Sequence, residues 1–391
     1  MSLIRSERSS AALLLGAAAL GLILANTALG PGLMAIQGAH LAVPALGLDL
    51  SVGHWISDGL LAIFFFIVAV ELKHELIAGE LSSVSKAIHP AIAAIGGVAV
   101  PALIYLAFTA SGDYAHGWPV PTATDIAFAL GVLAIFGRGL PNRLRVFLLA
   151  LAVLDDLIAI VIIAVFFTTD PNLGMLGLAA LTAMAFGLVS RMLRGRMRVP
   201  LAVVLVLLGV LTWVLVYNSG VHATIAGVVL GLVMSRLPAR RVTHVLEPWS
   251  NGLVLPLFAF SAALVAIPQV PLSKLAAPFW GILIALPVGK LIGITIGGWL
   301  GSFVGRADQK PKLSLRGLIV IASLGGIGFT VSLLMNELAF SGSAEVVDEG
   351  TLAVLIGSGI SMVVSGILVS VLARRYRREH PHPVSEQSAR T

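Results

Sequence analysis

The sequence has no cysteine and few charged residues, and each of these absences narrows what the chain can be. Without cysteine the chain has no disulfide bonds, no thiolate nucleophile and no cysteine-ligated metal site. Charged residues make up 11% of the 391 residues, whereas a soluble domain has about 25%. Hydrophobic residues make up 58%, and the mean hydropathy is +1.00. A soluble domain of this length could not bury so much apolar surface, so the composition predicts a polytopic membrane protein.

The apolar residues fall into twelve stretches that we predict to be membrane-spanning helices. A helix needs about 20 residues to cross a bilayer at 1.5 Å per residue. The first stretch follows Arg5 and Arg8 and resembles a signal sequence, but the spans that follow it favour a retained helix. The predicted fold class is therefore all-α. The predicted limits are 11–30, 58–78, 88–110, 120–137, 146–168, 173–190, 200–217, 219–235, 250–267, 276–303, 317–338 and 351–373.

Basic residues mark one side of the predicted bundle. Of the 25 lysines and arginines, Lys274 alone falls in a loop of the opposite side, and Lys290 alone falls in a span far from both of its ends; Lys73 lies near the end of the second span on the basic side. The loops of that opposite side are neutral or acidic, as in SGDYAHGW and SGSAEVVDEG. The positive-inside rule therefore places both termini in the cytoplasm. Because the basic residues lie in short loops between spans, the net charge of +6 does not indicate a nucleic-acid partner.

We predict one transmembrane domain over residues 1–378 and a disordered cytoplasmic tail over 379–391, which is polar and contains proline and serine. The longest loop on the outer side, 31–57, contains the stretch HLAVPALGLDLSVG. Its weak alternation and its Pro-Ala-Leu-Gly turn are compatible with a small β-hairpin over 40–52, and equally with an irregular ordered loop. A hairpin would offer an exposed strand edge through which a homodimer could form.

Two adjacent aspartates, Asp155 and Asp156, lie near the middle of the fifth predicted span. A carboxylate at that depth costs at least about 2.5–3.5 kcal/mol, and two adjacent like charges cost more. The two side chains could satisfy neighbouring polar groups, but ionisable residues inside a membrane usually mark an ion or proton pathway. Adjacent residues of a helix diverge by about 100°, so they can share a cavity while taking different partners. This pair is the first candidate functional site.

The fourth and eleventh predicted spans each contain an interruption. In the fourth, the prolines of WPVPTATD precede a helix of about 16 Å over 126–136 and leave Thr124 and Asp125 at the break. Asp125 also fits the ordinary signal for a helix N-cap. In the eleventh, three glycines within 325–328 allow the backbone to leave the helix, although small residues can also form a packing face. We therefore predict two helices that are broken within the membrane.

Spans 3–5 and 10–12 thus share one organisation, each with a broken middle helix. The tenth span also contains Lys290. Paired interruptions at corresponding positions indicate inverted-topology repeats with a binding site at the midplane. Asp125 could compensate the partly positive helix N-termini that meet there, and Lys290 the partly negative C-termini. An alternative for Lys290 is that its ammonium group reaches to the membrane interface.

Specific motifs run in order through nearly the whole chain: SDGLLAIFFFIVAVELKHEL, PTATDIAFALGVLAIF, LAVLDDLIAIVIIAVFF, SGVHATIAGV, HVLEPW, LPLFAF, GKLIGI and GGIGFTVS. In order and spacing they resemble the NhaA-type sodium/proton antiporters of bacterial inner membranes. That family is itself one of the cases behind the inverted-repeat rule, so the rule adds no independent support. The resemblance implies a multi-pass protein that exports Na⁺, and also Li⁺, in exchange for inward H⁺. It further implies electrogenic exchange that is regulated by pH and needs no cofactor.

The resemblance also implies roles for individual residues. Asp155 and Asp156 match the pair that binds the cation and carries protons. Thr124 and Asp125 match the broken-helix residues beside that pair, and Lys290 matches the lysine that pairs with the first aspartate. The candidates for pH regulation, at or beside the positions of a cluster that the family links to it, are Glu71, Lys73, His74, Glu75, His244 and Glu247.

Three positions in or next to that cluster depart from the family pattern. His74 stands where the best-known members have arginine. Thr243 and Glu247 stand where those members have a glutamate and a histidine. The pH profile is therefore the property that the resemblance transfers least directly.

Oxygen ligands suit the implied cargo, because Na⁺ and Li⁺ are hard cations. We expect Asp156, Asp155 and Thr124 to bind the transported cation. In this interpretation Asp156 is the principal ligand, and Asp155 pairs with Lys290 when the ion is absent. Because burial disfavours an uncompensated carboxylate, a proton and a cation compete for the same acids. A site that reorients only when it carries one or the other exchanges them.

Two other functions fit the sequence less well. An intramembrane aspartyl protease needs two facing carboxyl groups that share a proton, whereas adjacent residues of one helix project apart. A sodium-coupled symporter of similar inverted-repeat fold needs a pocket for an organic solute, and nothing polar beyond the ion site indicates one. A passive channel would not need acids that titrate. The antiporter is the predicted function, with the symporter as the alternative.

Overall fold

The computed structural model describes residues 7–79, 81–110, 112–168, 170–193, 198–267, 274–304 and 313–379. Within these ranges the chain is mostly helical, as the composition predicts. The predicted disordered tail lies outside the described residues, with one exception. Glu379, its first predicted residue, is the last residue of a helix and is therefore not disordered.

Helices account for most of the described chain, and three π-helical turns join some of them without a break. The helices are α1 (Glu7–Ala25), α2 (Gly30–Gly38), α3 (Val52–His54), α4 (Leu61–Ala78), α5 (Val84–Thr109), α6 (Ile126–Phe136), α7 (Asn142–Phe166), α8 (Leu173–Arg191), α9 (Arg198–Asn218), α10 (Thr224–Val233), α11 (Arg236–Trp249), α12 (Leu255–Ala262), α13 (Ala277–Ile284), α14 (Lys290–Gly301), α15 (Leu315–Gly325), α16 (Phe329–Ala339) and α17 (Ala344–Glu379). The π-helical turns Trp55–Leu60, Ser250–Val254 and Ala285–Gly289 join α3 to α4, α11 to α12 and α13 to α14. Two 3-10 turns, Ala115–Gly117 and Val120–Thr122, precede α6.

The loop between α2 and α3 contains a β-hairpin. Strand β1 (His40–Val43) pairs antiparallel with β2 (Leu48–Ser51) in a two-stranded sheet. The connecting turn ends at Gly47, whose φ of 65° is a left-handed conformation that glycine adopts without steric cost. Leu48 and Leu50 on β2 are buried, whereas β1 is exposed along its whole length. Of the two alternatives for this loop, the hairpin is therefore confirmed.

Fewer helices meet the length of a membrane crossing than the twelve predicted spans. Among the described residues, eight helices are long and apolar enough to cross, or ten if each of two bent pairs counts as one span. These ten coincide with ten of the predicted spans. In the remaining two, 219–235 contains the ten-residue α10 and 250–267 contains the eight-residue α12. The model thus confirms a multi-pass helical protein and leaves the number twelve as a prediction.

The first predicted span, 11–30, is wrong at its C-terminal end. Helix α1 already ends at Ala25, and α2 leaves it at an angle of 111°. The side chain of Asn26, just past α1, donates to the carbonyl oxygen of Val265 over 3.0 Å and accepts from the N–H of Ile267 over 2.8 Å. These bonds satisfy backbone groups after α12 and fix the bend. The end of α1 is therefore set by a tertiary contact.

Helices α5 and α14 pack with their backbones in close approach. A Cβ atom added to Gly293 would collide with the carbonyl oxygen of Gly96, and one added to Gly96 would collide with that of Gly293. Gly297 faces the carbonyl oxygen of Ile92 in the same way. Small residues allow helices in a membrane to approach closely and gain van der Waals contact. This contact holds Lys290, the first residue of α14, against α5.

Replacing Gly293 with alanine should lower the stability of the protein by about 1–3 kcal/mol, because the added methyl group overpacks a backbone contact. Gly359→Ala on α17 is the matched control, since nothing lies within 4 Å of a Cβ at that position. The control should be neutral or slightly stabilising, because alanine favours a helix over glycine. Thermal unfolding in detergent measures both variants. Equal unfolding midpoints would contradict the close packing of α5 and α14.

Candidate ion-binding site

The two predicted interruptions are present, and they lie against each other. Residues 123–125 are extended just before α6. Helix α15 ends at Gly325, and α16 begins at Phe329 with a bend of 49° between them. The backbone N–H of Asp125 donates to the carbonyl oxygen of Ile327 over 2.6 Å. The unwound segments thus satisfy backbone groups of each other, as non-helical chain inside a membrane requires.

One carboxylate serves the first turns of both half-helices. Asp125 Oδ1 accepts from the backbone N–H of Phe128 over 3.2 Å and so caps α6. Asp125 Oδ2 accepts from the N–H of Thr330 over 3.1 Å and from its hydroxyl over 2.6 Å, in the first turn of α16. Helix N-termini carry a partial positive charge that an anion stabilises. The structure therefore places Asp125 where the sequence argument expects a compensating charge.

Lys290 is completely buried and pairs with Asp155. Its Nζ atom donates to Asp155 Oδ2 over 2.7 Å and to the hydroxyl of Thr124 over 3.0 Å. The alternative of an ammonium group at the membrane interface is therefore wrong. The sequence also suggested that Lys290 compensates the partial negative charge of helix C-termini. Among the described residues its ammonium contacts no carbonyl oxygen at a helix C-terminus, so it does not do this directly. Its compensating role is toward the carboxylate.

The hydroxyl of Thr124 connects this ion pair to the second break. Thr124 Oγ1 lies 2.6 Å from Asp155 Oδ2 and 2.8 Å from the carbonyl oxygen of Gly325. A threonine hydroxyl has one hydrogen, so it donates to one of these two acceptors at a time. The lysine ammonium donates to the same oxygen. The ion pair, the extended segment 123–125 and the end of α15 are thus connected by hydrogen bonds.

The two adjacent aspartates have different surroundings. Asp155 is enclosed by Lys290 and Thr124, and its Oδ1 atom is buried without a hydrogen-bond partner among the described residues. Asp156 is 5% exposed and lines a cavity of about 490 Å³ that Thr124, Asp125 and Thr330 also line. Asp155 is not part of the cavity wall. A solute in this cavity would therefore meet Asp156 first.

The same cavity reaches most of the residues that the family resemblance connects with pH regulation. Five of the six predicted residues line it, on α4 and on α11. They are Glu71, His74, Glu75, His244 and Glu247. Arg240 lines it as well. The cluster and Asp156 thus line one continuous space, and a cation in this space is close to several carboxyl groups.

Lys73, the sixth predicted residue, lies apart from the other five. Its Nζ atom donates to the carbonyl oxygens of Leu232 and Met234 over 2.6 and 2.7 Å. These carbonyls belong to the last turn of α10 and the residue that follows it, where unpaired acceptors and a partial negative charge attract a cation. The structure therefore assigns Lys73 to the end of a helix and not to the cavity.

Several residues that contact the site or line its cavity were not predicted to do so, and three of them are polar groups with a clear position. Thr330 binds Asp125, and Ser358 on α17 accepts from the N–H of Phe329 over 3.2 Å at the start of α16. Arg240 lies four residues before His244 on α11, so the helical period alone places both on one face. Thr330 could have been found from its place in the first turn after the glycines. Nothing in the local sequence of α17 indicates the role of Ser358.

Three bacterial proteins are similar to the chain over almost its whole length. The identity is 61% over 381 residues to the Na(+)/H(+) antiporter NhaA 2 of Clavibacter michiganensis subsp. michiganensis, covering 96% of this chain and 93% of the relative. It is 48% over 380 residues to the Na(+)/H(+) antiporter NhaA of Tropheryma whipplei, covering 96% of each. It is 43% over 398 residues to the Na(+)/H(+) antiporter NhaA of Thermobifida fusca, covering 96% and 94%.

A family model gives the same result. The model of the family described as Na+/H+ antiporter 1 matches residues 1–369, a range that includes every residue of the candidate site. The resemblance inferred from the motifs is thereby confirmed. With a match of this extent and relatives at these identities, the chain belongs to the Na+/H+ antiporter 1 family.

Proposed function

We propose that this chain is a secondary antiporter that exports Na⁺, and also Li⁺, in exchange for inward H⁺. The observation that carries the proposal is the difference between Asp155 and Asp156. Asp155 is held by an ammonium and a hydroxyl group. Asp156 faces the cavity and has no hydrogen-bond partner in the described chain. A carboxyl group in that position takes up a proton or a cation from the cavity, and the two exclude each other.

Lys290 would supply a second proton. When a cation reaches Asp156, Asp155 can turn its unpartnered Oδ1 atom toward the cation. The cation then lies between the two carboxylates, and the ammonium of Lys290 loses its contact with Asp155. The site with the cation bound carries one net negative charge after Lys290 has released its proton. A buried ammonium without a counter-charge favours the neutral amine. One cation thus displaces two protons, one from the carboxyl group of Asp156 and one from Lys290. Two positive charges are exchanged for one, so the cycle is electrogenic.

The architecture that we infer for this cycle has twelve spans in one domain over 1–378, with spans 3–5 and 10–12 as inverted repeats. The meeting of the two breaks at Asp125 supports the repeats. Ala11 near the start of α1 and Arg374 near the end of α17 line one groove. This supports an even number of crossings, because the start of α1 and the end of α17 would then lie on one side of the membrane. The basic loops favour the cytoplasm for that side, and the bacterial relatives favour the inner membrane.

Regulation by pH would act through the residues that line the cavity. Glu71, Glu75 and Glu247 attract cations into the cavity when they are ionised, and His74 and His244 repel cations when they are protonated. As the pH falls, both changes make the cavity less negative and lower the local concentration of cations. We therefore infer that exchange slows at acidic pH for electrostatic reasons, in addition to the competition between protons and cations at Asp156.

Transport in proteoliposomes tests the proposal. With the protein reconstituted, addition of Na⁺ or Li⁺ outside should make the lumen alkaline, because H⁺ leaves as the cation enters, and K⁺ should have no effect. An inside-positive membrane potential should accelerate this change, because net positive charge leaves the lumen. A rate that is insensitive to potential would overturn the electrogenic cycle. Cation entry without proton movement would overturn antiport and favour the sodium-coupled symporter.

We also infer a homodimer that forms through the exposed strand β1. Leu41→Lys together with Val43→Lys should convert the dimer to monomers, because lysine on an edge strand opposes strand pairing between chains. Both side chains are exposed, at 57% and 38%, so packing within the chain is retained. Leu173→Lys on α8, at 77% exposure, is the control outside the hairpin. Native mass spectrometry in detergent measures the outcome. A dimer as stable as that of the control would place the interface elsewhere.

A further inference from the structure

A groove of about 630 Å³ lies between α1, α6 and α17 on the outside of the helices. Its walls are mainly apolar, with Leu15 from α1, Phe136 from α6 and Ile367 from α17, all partly exposed. The hydroxyl of Ser370, which also lines it, already donates to the carbonyl oxygen of Gly366 over 2.7 Å. Most of the groove therefore offers only van der Waals contact, which suits a hydrocarbon chain.

A guanidinium group stands at one end of this groove. Arg374 on α17 lines it and is exposed. The next residue, Arg375, pairs with Glu379 over 3.0 Å, whereas Arg374 has no carboxylate at ion-pair distance in the described part of the chain. A guanidinium presents parallel N–H donors that match the oxygens of a phosphate group. The groove thus combines an apolar length with one free cation at its end.

The length of the groove matches one leaflet of a bilayer. At 1.5 Å per residue, α17 rises about 18 Å between Met362, the deepest α17 residue of the groove, and Arg374. Half of a hydrocarbon core of about 30 Å is about 15 Å. A phosphate at Arg374 would lie at the level of the headgroups, and an acyl chain that follows α17 from there would end near the midplane.

We propose that a glycerophospholipid binds in this groove, in the leaflet on the side of the two chain ends. Its phosphate group contacts Arg374, and one acyl chain lies between α1 and α17, over α6. The charge and the length of the groove both select this occupant. A second copy of the chain would need a longer apolar face and no cation at its edge.

A photoreactive phospholipid tests the phosphate contact. The full chain is reconstituted with a phospholipid that carries a diazirine in the middle of one acyl chain, and labelled peptides are identified by mass spectrometry. Labels should concentrate on Leu15 and Ile367. Arg374→Gln should reduce them about fivefold, since one basic residue contributes about 1 kcal/mol to the binding of an anionic lipid. Arg378→Gln, beyond the groove, is the control and should leave them unchanged. Equal labelling in both variants would overturn the contact.

A second pair of variants tests the position of the acyl chain. A Cβ atom at Gly366 meets only the ring of Phe136, at an ordinary distance of 3.5 Å, so Gly366→Ala should fold and keep the label. Gly366→Leu extends further into the groove and should remove the label from Leu15. Labelling of Leu15 that is no stronger than that of Leu207 on α9, which is 63% exposed, would show ordinary lipid contact and overturn the proposal. So would labels that persist in Gly366→Leu. These readouts do not depend on ion exchange.

Discussion

Asp156→Asn should abolish Na⁺-driven proton movement in proteoliposomes. The asparagine amide has the size of the carboxyl group but neither takes up a proton at neutral pH nor neutralises a cation. Asp156 lines the cavity and has no hydrogen-bond partner within the described residues, so the variant loses no contact that holds the fold together. The expected result is therefore a folded protein whose liposomes respond to Na⁺ as empty liposomes do. Fluorescence of a pH dye in the lumen measures this.

The matched control for this variant is Asp170→Asn, which lies in the short connection between α7 and α8. Its φ of 46° is a left-handed conformation that asparagine tolerates well. This control should exchange Na⁺ for H⁺ at the parent rate. If Asp156→Asn retained exchange while its binding of Na⁺ was unchanged, Asp156 would not be the ion ligand, and the difference between the two aspartates would have to be explained in another way.

Lys290→Met should destabilise the protein by about 3–5 kcal/mol, because it leaves the carboxylate of Asp155 buried without its counter-charge. Methionine has nearly the length of lysine and fits an apolar wall, so the loss comes from charge and not from volume. Lys274→Met, at an exposed position, is the control and should change stability by less than about 0.5 kcal/mol. The apparent unfolding midpoint in detergent measures both. Equal midpoints would contradict the ion pair.

The double variant Lys290→Met with Asp155→Asn separates stability from coupling. Without either charge there is no uncompensated carboxylate, so most of the lost stability should return. If Lys290 supplies one of the two protons, exchange in this variant should also become insensitive to membrane potential. A double variant as unstable as Lys290→Met alone would contradict the pairing. A rate that still follows the potential would assign the second proton to another group.

The location of the site could be predicted from the sequence because its signals are local. Ionisable residues within long apolar stretches cost free energy in a membrane, so Asp155 and Asp156 stand out in the sequence as candidate functional residues. The prolines before Thr124 and the glycines at 325–328 disturb helices by their own covalent structure, and the model contains both interruptions. Each of these signals depends on a few neighbouring residues. Together they predict which segments of the chain form the site.

The orientation of the groups within the site depends on packing and could not be predicted in the same way. Because adjacent side chains of a helix point about 100° apart, the two aspartates must have different surroundings. Which of them faces the cavity depends on the rotation of α7 relative to its neighbours. The direction of Lys290 depends on the π-helical turn Ala285–Gly289, since the extra residue of such a turn rotates all that follows. Pro287 in this turn removes a backbone donor and signals the distortion, but not its consequence for the lysine.

Lys73 is a residue for which the family motif and helical geometry indicate different positions. Residues three or four apart share one face of a helix, so Glu71, His74 and Glu75 belong together. Residues two positions apart on a helix point in directions about 200° apart, so Lys73 lies on the opposite side of α4 from Glu71. The model agrees with the helical period, because this lysine contacts the end of α10. Helical geometry applied to the motif would have removed it from the cluster.

The bonds between the two breaks also constrain how the protein is made. Thr124 reaches a carbonyl 201 residues later in the chain, and Asp125 reaches a backbone N–H 205 residues later. During synthesis α6 and α7 therefore enter the membrane long before α15 and α16 exist. Until then Asp125 lacks its hydrogen bonds to the N-terminus of α16, and Asp155 lacks its ion pair with Lys290. Ionised carboxylates without partners are too costly in lipid. The nascent first half must therefore keep these groups protonated or in contact with water, and it becomes a stable membrane segment only when its counterpart arrives.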